Sequence, residues 1–294
     1  MSLKVLDPGL QLLLVGKPAF GLRNQGIPWG GPADWVSMAI SNSLIGNPYH
    51  TPALEVCLAG PTLEASEDTA LGIFGARFHM EVNRKPIRAS NTIYLEKGQT
   101  LRMLDCDSNT RAYISTPGGF ESPQVSFKKN HLAKCSANSC GIRFVPTDCE
   151  FYPNTSAIRV MVGPEAHLFR DHALHSLVFT VDQSSNRMGI RLSGAPISVP
   201  RGEMLSEPVC PGTIQVAKDG NLLLLGVEGQ TIGGYPRVAQ VIRSDLHKIG
   251  QLRPGQKVSF EYVSLEQAGI LWDRLQSELG SFCLRLNVAS TDFL

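Results

Sequence analysis

Runs of five or six β-forming residues, closed within a few positions by glycine, proline or asparagine, recur along almost the whole chain, at 10–15, 70–74, 78–82, 91–95, 100–104, 112–116, 158–162, 222–227 and 258–263. Strands this short, with turn signals roughly every 8–12 residues, predict barrels or sandwiches rather than alternating strands and helices. The 28 glycines and 19 prolines supply the turns. Two turns are alike: Lys97-Gly-Gln-Thr-Leu-Arg102 and Arg253-Pro-Gly-Gln-Lys-Val258 each feed a strand through a Gly-Gln pair, a hint that a similar barrel occurs twice. The 294 residues suit two domains, placed at 1–125 and 155–294 on either side of a polar junction at 126–154. Three helices are expected. One covers 33–45 after Pro32, with Gly46 as its left-handed stop. A second covers 165–176 after Pro164, and a third covers 264–279, opening on Ser264 and Gln267 at capping-box spacing and ending at Gly280.

Charge excludes several partners. Lys plus Arg number 27 against 26 Asp plus Glu, a net +1, so no clustered basic excess is offered to nucleic acid or an anionic membrane. A hydrophobic share of 43% supports a packed core and argues against disorder. The longest apolar stretch, 222–227, is far short of the roughly 18–20 residues that span a bilayer, and Met1-Ser2-Leu3 lacks the features of a signal peptide. Seven cysteines on irregular spacings, with no secretory signal, read as reduced thiols of a cytoplasmic protein.

Several constellations could carry chemistry. His131, Cys135, Cys140 and Cys149 are four potential zinc ligands, but the cysteines lack the short knuckle spacing that fixes tetrahedral geometry, so no metal is expected. His167, His172 and His175 fall on the second expected helix and read as a solvated face. No Walker loop, dinucleotide fingerprint or nucleophile elbow is present, and Cys210 has no visible base to activate it. Three polar, glycine-rich clusters remain. Glu228-Gly-Gln-Thr-Ile-Gly-Gly-Tyr-Pro-Arg237 offers backbone N–H groups, Gln230, Thr231 and the cation Arg237 to a carboxylate or amide carbonyl, or is a tight barrel corner at Gly233 and Gly234 with Tyr235 packed. Arg187 and Arg191, flanking Gly189, suit a bidentate anion clamp or strand-end salt bridges. Gly26-Ile-Pro-Trp-Gly-Gly-Pro-Ala-Asp34 leads into the first helix, whose N-terminus is an anion site unless Asp34 occupies it.

These clusters, with Asn42-x-Leu-Ile-Gly-Asn-Pro48, Ala53-Leu-Glu55, Ser185-Asn-Arg-Met-Gly-Ile-Arg191, Ser206-Glu207 and Pro211-Gly-Thr-Ile-Gln-Val216 in order between them, resemble the allophanate hydrolase subunit 2 family. That family includes the C subunit of bacterial 5-oxoprolinase, an antagonist of a sporulation-kinase inhibitor, and part of the carboxyltransferase region of urea carboxylase. The resemblance spans about residues 4–120 and 157–265. It implies a mainly β fold of two cyclophilin-like β-barrel domains with a few short helices. It implies an amide-hydrolase assembly, 5-oxoprolinase-like or allophanate hydrolase-like, with partners like the A and B subunits of 5-oxoprolinase, ATP used by the assembly and no cofactor on this chain; for the 5-oxoprolinase type the reaction is ring-opening of 5-oxoproline. On this reading Gln230, Thr231, Gly233, Gly234, Tyr235 and Arg237, with Glu228, line a pocket for a small amide or carboxylate that the B-like partner completes, and Arg187 and Arg191 clamp an anion. The alternatives are a regulatory module that caps a partner without turnover, and a component of biotin-dependent carboxyl transfer to urea. The chain departs from the family at Leu14 and Val15, where relatives carry an acid, at Asn186 for Asp, and at Glu228 for Asp. Either those acids are structural in the family, or this is a divergent member whose catalysis is altered or absent, because an amide cannot do a carboxylate's acid–base work.

Overall fold

A computed structural model describes residues 2–87, 92–122, 125–135, 143, 145, 157–169, 174–199 and 204–288. The chain divides into two compact units that interleave in sequence, where the sequence reading had two continuous stretches. The N-terminal unit is Met1–Lys17, Asp34–Glu150 and Glu278–Leu294; the C-terminal unit is Pro18–Ala33 and Phe151–Ser277.

The N-terminal unit begins with β1 (Ser2–Asp7) and β2 (Leu12–Val15), followed by helix α1 (Trp35–Ser43). Next come β3 (Ala53–Cys57), β4 (Thr62–Ala65), β5 (Thr69–Gly75), β6 (Phe78–Val82), β7 (Lys85–Ile87) and β8 (Ile93–Leu95). The last four are β9 (Thr100–Cys106), β10 (Arg111–Ser115), β11 (Phe120–Glu121) and β12 (Leu132–Cys135). They form a seven-stranded sheet ordered β11-β12-β1-β4-β9-β6-β7 and a five-stranded sheet ordered β2-β3-β10-β5-β8. Alternation decides which face goes inward. In β1, Leu3 and Val5 are buried while their neighbours are partly exposed, and β4 and β9 repeat the pattern with Leu63, Leu101 and Met103. The five-stranded sheet is different. All five residues of β3 and of β10 are buried, because one face meets the core and α1 packs on β5 and β10 at the other. Gly72 permits that close seating, since a Cβ there would lie 2.4 Å from the Ser41 carbonyl oxygen.

Helix α1 is shorter than the expected 33–45: it starts at Trp35, with Asp34 as its N-cap accepting from the Ser37 N–H at 3.0 Å. Gly46, at φ 78°, provides the left-handed stop. The N-terminus of α1 is thus occupied by its own Asp34, which favours the capping alternative over an anion site.

The C-terminal unit carries β13 (Ala157–Val162), β14 (Phe179–Val181), β15 (Gly189–Ser193), β16 (Glu207–Pro208) and β17 (Thr213–Val216). It continues with β18 (Leu222–Leu225), β19 (Ile232–Gly233), β20 (Arg237–Val241), helix α2 (Leu246–Ile249) and β21 (Lys257–Tyr262); helix α3 (Leu265–Val288) begins in this unit, and its residues from Glu278 onward belong to the N-terminal unit. Seven strands close a barrel in the order β13-β20-β17-β18-β15-β14-β21, with β21 parallel to β13, so no edge of that sheet is left unpaired. Its interior is filled by Val160, Phe179, Leu192, Ile214, Leu224 and Val258 among others. Strands β16 and β19 pair outside it as a short ribbon. The mainly β architecture expected from the sequence is the one observed.

The twin Gly-Gln turns are one device used twice. Gly98 and Gly255 sit at φ 81° and 84°, where a side chain is strained. Each following glutamine folds back identically: Gln99 Oε1 accepts from the Glu96 N–H at 3.1 Å, and Gln256 Oε1 accepts from the Arg253 N–H at 3.0 Å.

Two further helix expectations are corrected. The stretch 165–176 holds two 3-10 segments, Ala166–Phe169 and Leu174–Ser176, with 170–173, and so His172, outside the described residues. Their buried anchors, Phe169 and Leu174, are five positions apart, about 140° around an α-helix, so no single helical face could bury both. Helix α3 does open on the expected capping box, Gln267 N–H to Ser264 Oγ at 3.1 Å and Ser264 N–H to Gln267 Oε1 at 2.8 Å. It then runs through Gly280 to Val288, because Leu279, Phe282, Cys283 and Leu286 form a buried stripe at helical spacing that outweighs the glycine's cost of about 1 kcal/mol. Among the described residues no helix is long and apolar enough to cross a membrane.

Candidate functional site: a cleft beside the β16–β19 ribbon

The C-terminal unit contains a cleft of about 750 Å³, the size of a small-molecule site. Barrel strands β17 and β20 give it Thr213, Arg237 and Gln240, and the ribbon and its flanks give Pro208, Cys210, Thr231 and Ile232. Arg23 and Asn24 enter from the segment 18–33. That segment is closed by the Ala19 N–H on the Trp29 carbonyl at 2.8 Å, and fastened by the Gly30 N–H on the Val227 carbonyl at 2.9 Å and by Arg187 Nη2 on the Gly31 carbonyl at 2.6 Å.

Two arginines face the cleft in opposite states. Arg237 donates Nε to Glu165 Oε2 at 2.8 Å and Nη2 to Glu165 Oε1 at 2.7 Å, its own N–H reaches the same carboxylate at 2.9 Å, and Nη2 also meets Glu207. Hydrogen bonding from Arg237 holds Glu165 below the usual carboxylate range, and the same bonds raise Arg237 above its ordinary value. One cation against two carboxylates is over-neutralised, so Arg237 fastens the ribbon to the segment after β13 and cannot attract an anion. Arg23 has no carboxylate among the described residues. Its Nη2 donates to the Val209 carbonyl and, at 2.7 Å, to the Gln230 carbonyl, while Nη1 is buried with no acceptor. Burial lowers its pKa, the signature of a charged group short of compensation. A buried guanidinium N–H without a partner costs about 1–3 kcal/mol, which a ligand oxygen would recover.

Beside Arg23, Thr213 Oγ1 donates to Gln240 Oε1 at 2.8 Å, and Cys210 Sγ lies 3.7 Å from the same oxygen. Gln240 Nε2 is held by the Pro211 carbonyl at 3.0 Å. Among the described residues the hydrogen-bond partners of Cys210 are Thr213 and Gln240, neither of them a base, so a nucleophilic thiol gains no geometric support.

The residues singled out in the sequence separate into three groups. Thr231 and Arg237 line the cleft. Gln230 lends it only a carbonyl, its side-chain amide turning to Gln215 Oε1 at 3.5 Å. Gly233 and Tyr235 serve the ribbon: a Cβ on Gly233 would meet Gln230 Nε2 at 2.6 Å and Gln215 Nε2 at 2.7 Å, and the Tyr235 carbonyl accepts from Gln215 at 3.2 Å. Gly234 is exposed beside Ser206. Arg187, 6% exposed, is paired with Glu228 at 2.7 Å, whereas Arg191 is exposed on β15, so the two do not converge on one ligand.

Arg23, Glu165 and Gln240 escaped the sequence reading. Arg23 opens a three-residue 3-10 helix, Arg23–Gln25, too short to carry a periodic pattern, and Glu165 is 72 positions from its partner, so neither has a local signal. The departures also find local roles. Asn186 Oδ1 accepts from the Met188 N–H at 2.8 Å, which an amide does as well as a carboxylate. Leu14 and Val15 pack in β2. Of the potential zinc ligands, Cys140 and Cys149 lie outside the described residues. Cys135 is buried, which pushes its thiol up to about 11, and His131 Nδ1 is taken by the Lys128 N–H at 3.0 Å.

The family described as carboxyltransferase domain, subdomain A and B, matches residues 25–127 and 126–262. The 5-oxoprolinase C subunit of Haemophilus influenzae is 29% identical over 293 residues, covering 91% of this chain and 93% of that protein. The urea amidolyase of Saccharomyces cerevisiae is 23% identical over 91% of this chain, which spans only 17% of that protein. Among solved structures, TTHA0988 superposes with a TM-score of 0.78 at 30% identity, over 88% of this chain and 56% of its own. The Kluyveromyces lactis urea amidolyase shares the fold, with a TM-score of 0.86 at 22% identity over 96% of this chain and 20% of its own.

Proposed function

Because the chain belongs to the carboxyltransferase domain, subdomain A and B, family, we propose that it is a component of an amide-hydrolase assembly of the 5-oxoprolinase type and binds the substrate's carboxylate or amide carbonyl in the cleft at Arg23. The observation that carries this reading is the buried, acceptor-less Nη1 of Arg23 in a cleft where the other arginine is already over-neutralised. A cyclic amide must have its carboxylate held and its carbonyl polarised before ring-opening, and a guanidinium with a buried, acceptor-less nitrogen, together with Thr231 on the same cleft, supplies hydrogen bonds for both. Proteins like the A and B subunits of 5-oxoprolinase would complete the assembly and handle ATP, since no phosphate loop is found in this sequence.

The test is purification of the tagged chain from its native cells, mass spectrometry of the proteins that follow it, and an ATP-dependent 5-oxoproline hydrolysis assay on the assembly recovered. Co-purification of both partners with activity supports the reading. Abundant, folded chain recovered with neither partner contradicts it and favours a regulatory capping module. The urea amidolyase likeness supports a second reading, carboxyl transfer, and association with a biotinylated carrier domain in the same purification would favour it.

A further inference from the structure

A second cleft, of about 410 Å³, opens on the N-terminal unit, and among the described residues it is lined by Thr62, Glu81, Asn83, Arg84, Thr100 and Arg102. Strand register builds it. Thr62, Arg102 and Glu81 lie directly across from one another on β4, β9 and β6, so they share one face of the seven-stranded sheet. The two-residue turn Asn83–Arg84 joins β6 to β7, with Val82 paired to Lys85. The turn is pinned to β9 by Asn83 Oδ1 accepting from the Thr100 N–H at 2.9 Å and by the Asn83 N–H on the Thr100 carbonyl at 3.0 Å.

Two features need explaining. Asn83 and Arg84 both have left-handed backbones, φ 49° and 66°, as tight hairpin turns require, and the second of those positions ordinarily takes glycine. Here it holds an arginine, so the chain tolerates local strain to place a guanidinium at the cleft. In addition, Arg102 faces Glu81 across the strands without forming an ion pair, and neither Arg84 nor Arg102 is ion-paired among the described residues. Two uncommitted guanidiniums, two hydroxyls and an amide nitrogen around one space are donors for an oxyanion. Glu81, the one carboxylate among the described lining residues, leaves a net positive cleft and adds an acceptor, which an oxyanion can satisfy only if it carries a proton.

From this we propose that the cleft binds hydrogen phosphate, with Arg84 and Arg102 on its charged oxygens and its P–OH donating to Glu81. Sulfate has the same size and shape but no proton near neutral pH, so Glu81 repels it. The site therefore discriminates by protonation, beyond and independent of the Arg23 cleft.

The experiment is calorimetric titration of the full chain with phosphate and with sulfate at pH 7 and constant ionic strength, on the parent and the R84G, R102Q, E81Q and R23Q variants. The parent binds phosphate saturably and at least about tenfold more tightly than sulfate. R84G, which relieves the turn, melts at or above the parent temperature yet binds phosphate about tenfold more weakly, and R102Q weakens it likewise. E81Q brings the two affinities together, and R23Q leaves phosphate binding unchanged. Equal affinity for the two ions in the parent, no saturable phosphate binding, or unchanged binding in R84G overturns the proposal. So does loss of phosphate binding in R23Q, which would place the ion in the other cleft and leave the Arg23 reading standing.

Discussion

Replacing Arg237 with methionine tests the division of labour between the two cleft arginines. The substitution keeps most of the side chain's apolar bulk and removes every donor that the guanidinium gives to Glu165, Glu207 and the Pro208 carbonyl. Glu165 is 14% exposed and keeps only the backbone N–H at position 237, while Glu207, 54% exposed, can turn to water. The loss therefore comes almost wholly from Glu165. Breaking a buried pair by removing one partner costs about 3–5 kcal/mol, and residual exposure puts this case near the lower end, about 3 kcal/mol. At about 2–4 °C per kcal/mol, the C-terminal unit's transition should fall by roughly 6–12 °C. Scanning calorimetry on the full chain reads this directly. The Glu165→Gln/Arg237→Met double variant should recover a large part of the loss, because the stranded carboxylate is gone. A single variant within about 0.5 kcal/mol of the parent, or a double variant no more stable than the single, would refute the view of Arg237 as a neutralised fastener.

Arg187→Ala should destabilise by about 1–2 kcal/mol in urea unfolding, since it removes the bonds of a buried guanidinium to Glu228 and the Gly31 carbonyl while Glu228, 42% exposed, can turn to water; a stable variant with weakened ligand binding would instead restore Arg187 as an anion clamp. Ser264→Ala removes half of the capping box and should cost about 1 kcal/mol, read as faster hydrogen exchange of the Gln267 amide, with no change expected at Leu279. Burial works to raise Asp245, but hydrogen bonds from Arg159 and the charge of Lys248 outweigh it and hold the carboxyl below its ordinary range. Its folded pKa is thus below its unfolded one, so its stabilisation is present above about pH 4–5 and is lost as pH falls through the folded value. Urea midpoints measured from pH 6 down to pH 3 should fall less steeply in Asp245→Asn than in the parent.

Features governed by neighbours in sequence are legible in the sequence alone. The Gly-Gln turns, the Ser264/Gln267 box and the Asp34 cap each need only three or four residues of context, and each has the geometry its residue types imply. Helix α3 overran its expected end because its stop was inferred from Gly280 alone, while the buried stripe from Leu279 to Leu286 decides the matter. The site was half-readable for the same reason. Gly233 and Thr231 sit in a glycine-rich stretch that marks the ribbon, but whether an arginine is available to a ligand depends on carboxylates brought in by topology. Arg237 looked like the ligand cation until β20 placed it on Glu165. Arg23, on a 3-10 helix of only three residues, acquires its role only when strand pairing sets Val209 and Gln230 beside it.

The most direct measurement is calorimetric titration of 5-oxoproline into the full chain and into Arg23→Gln. If Arg23 holds the ligand's carboxylate, the parent binds saturably and Arg23→Gln, folded and melting near the parent temperature, binds at least about tenfold more weakly, the equivalent of about 1.4 kcal/mol for a lost charged hydrogen bond. Equal affinity in the two proteins, or binding that vanishes in Arg237→Met but persists in Arg23→Gln, would contradict the assignment of this cleft to Arg23.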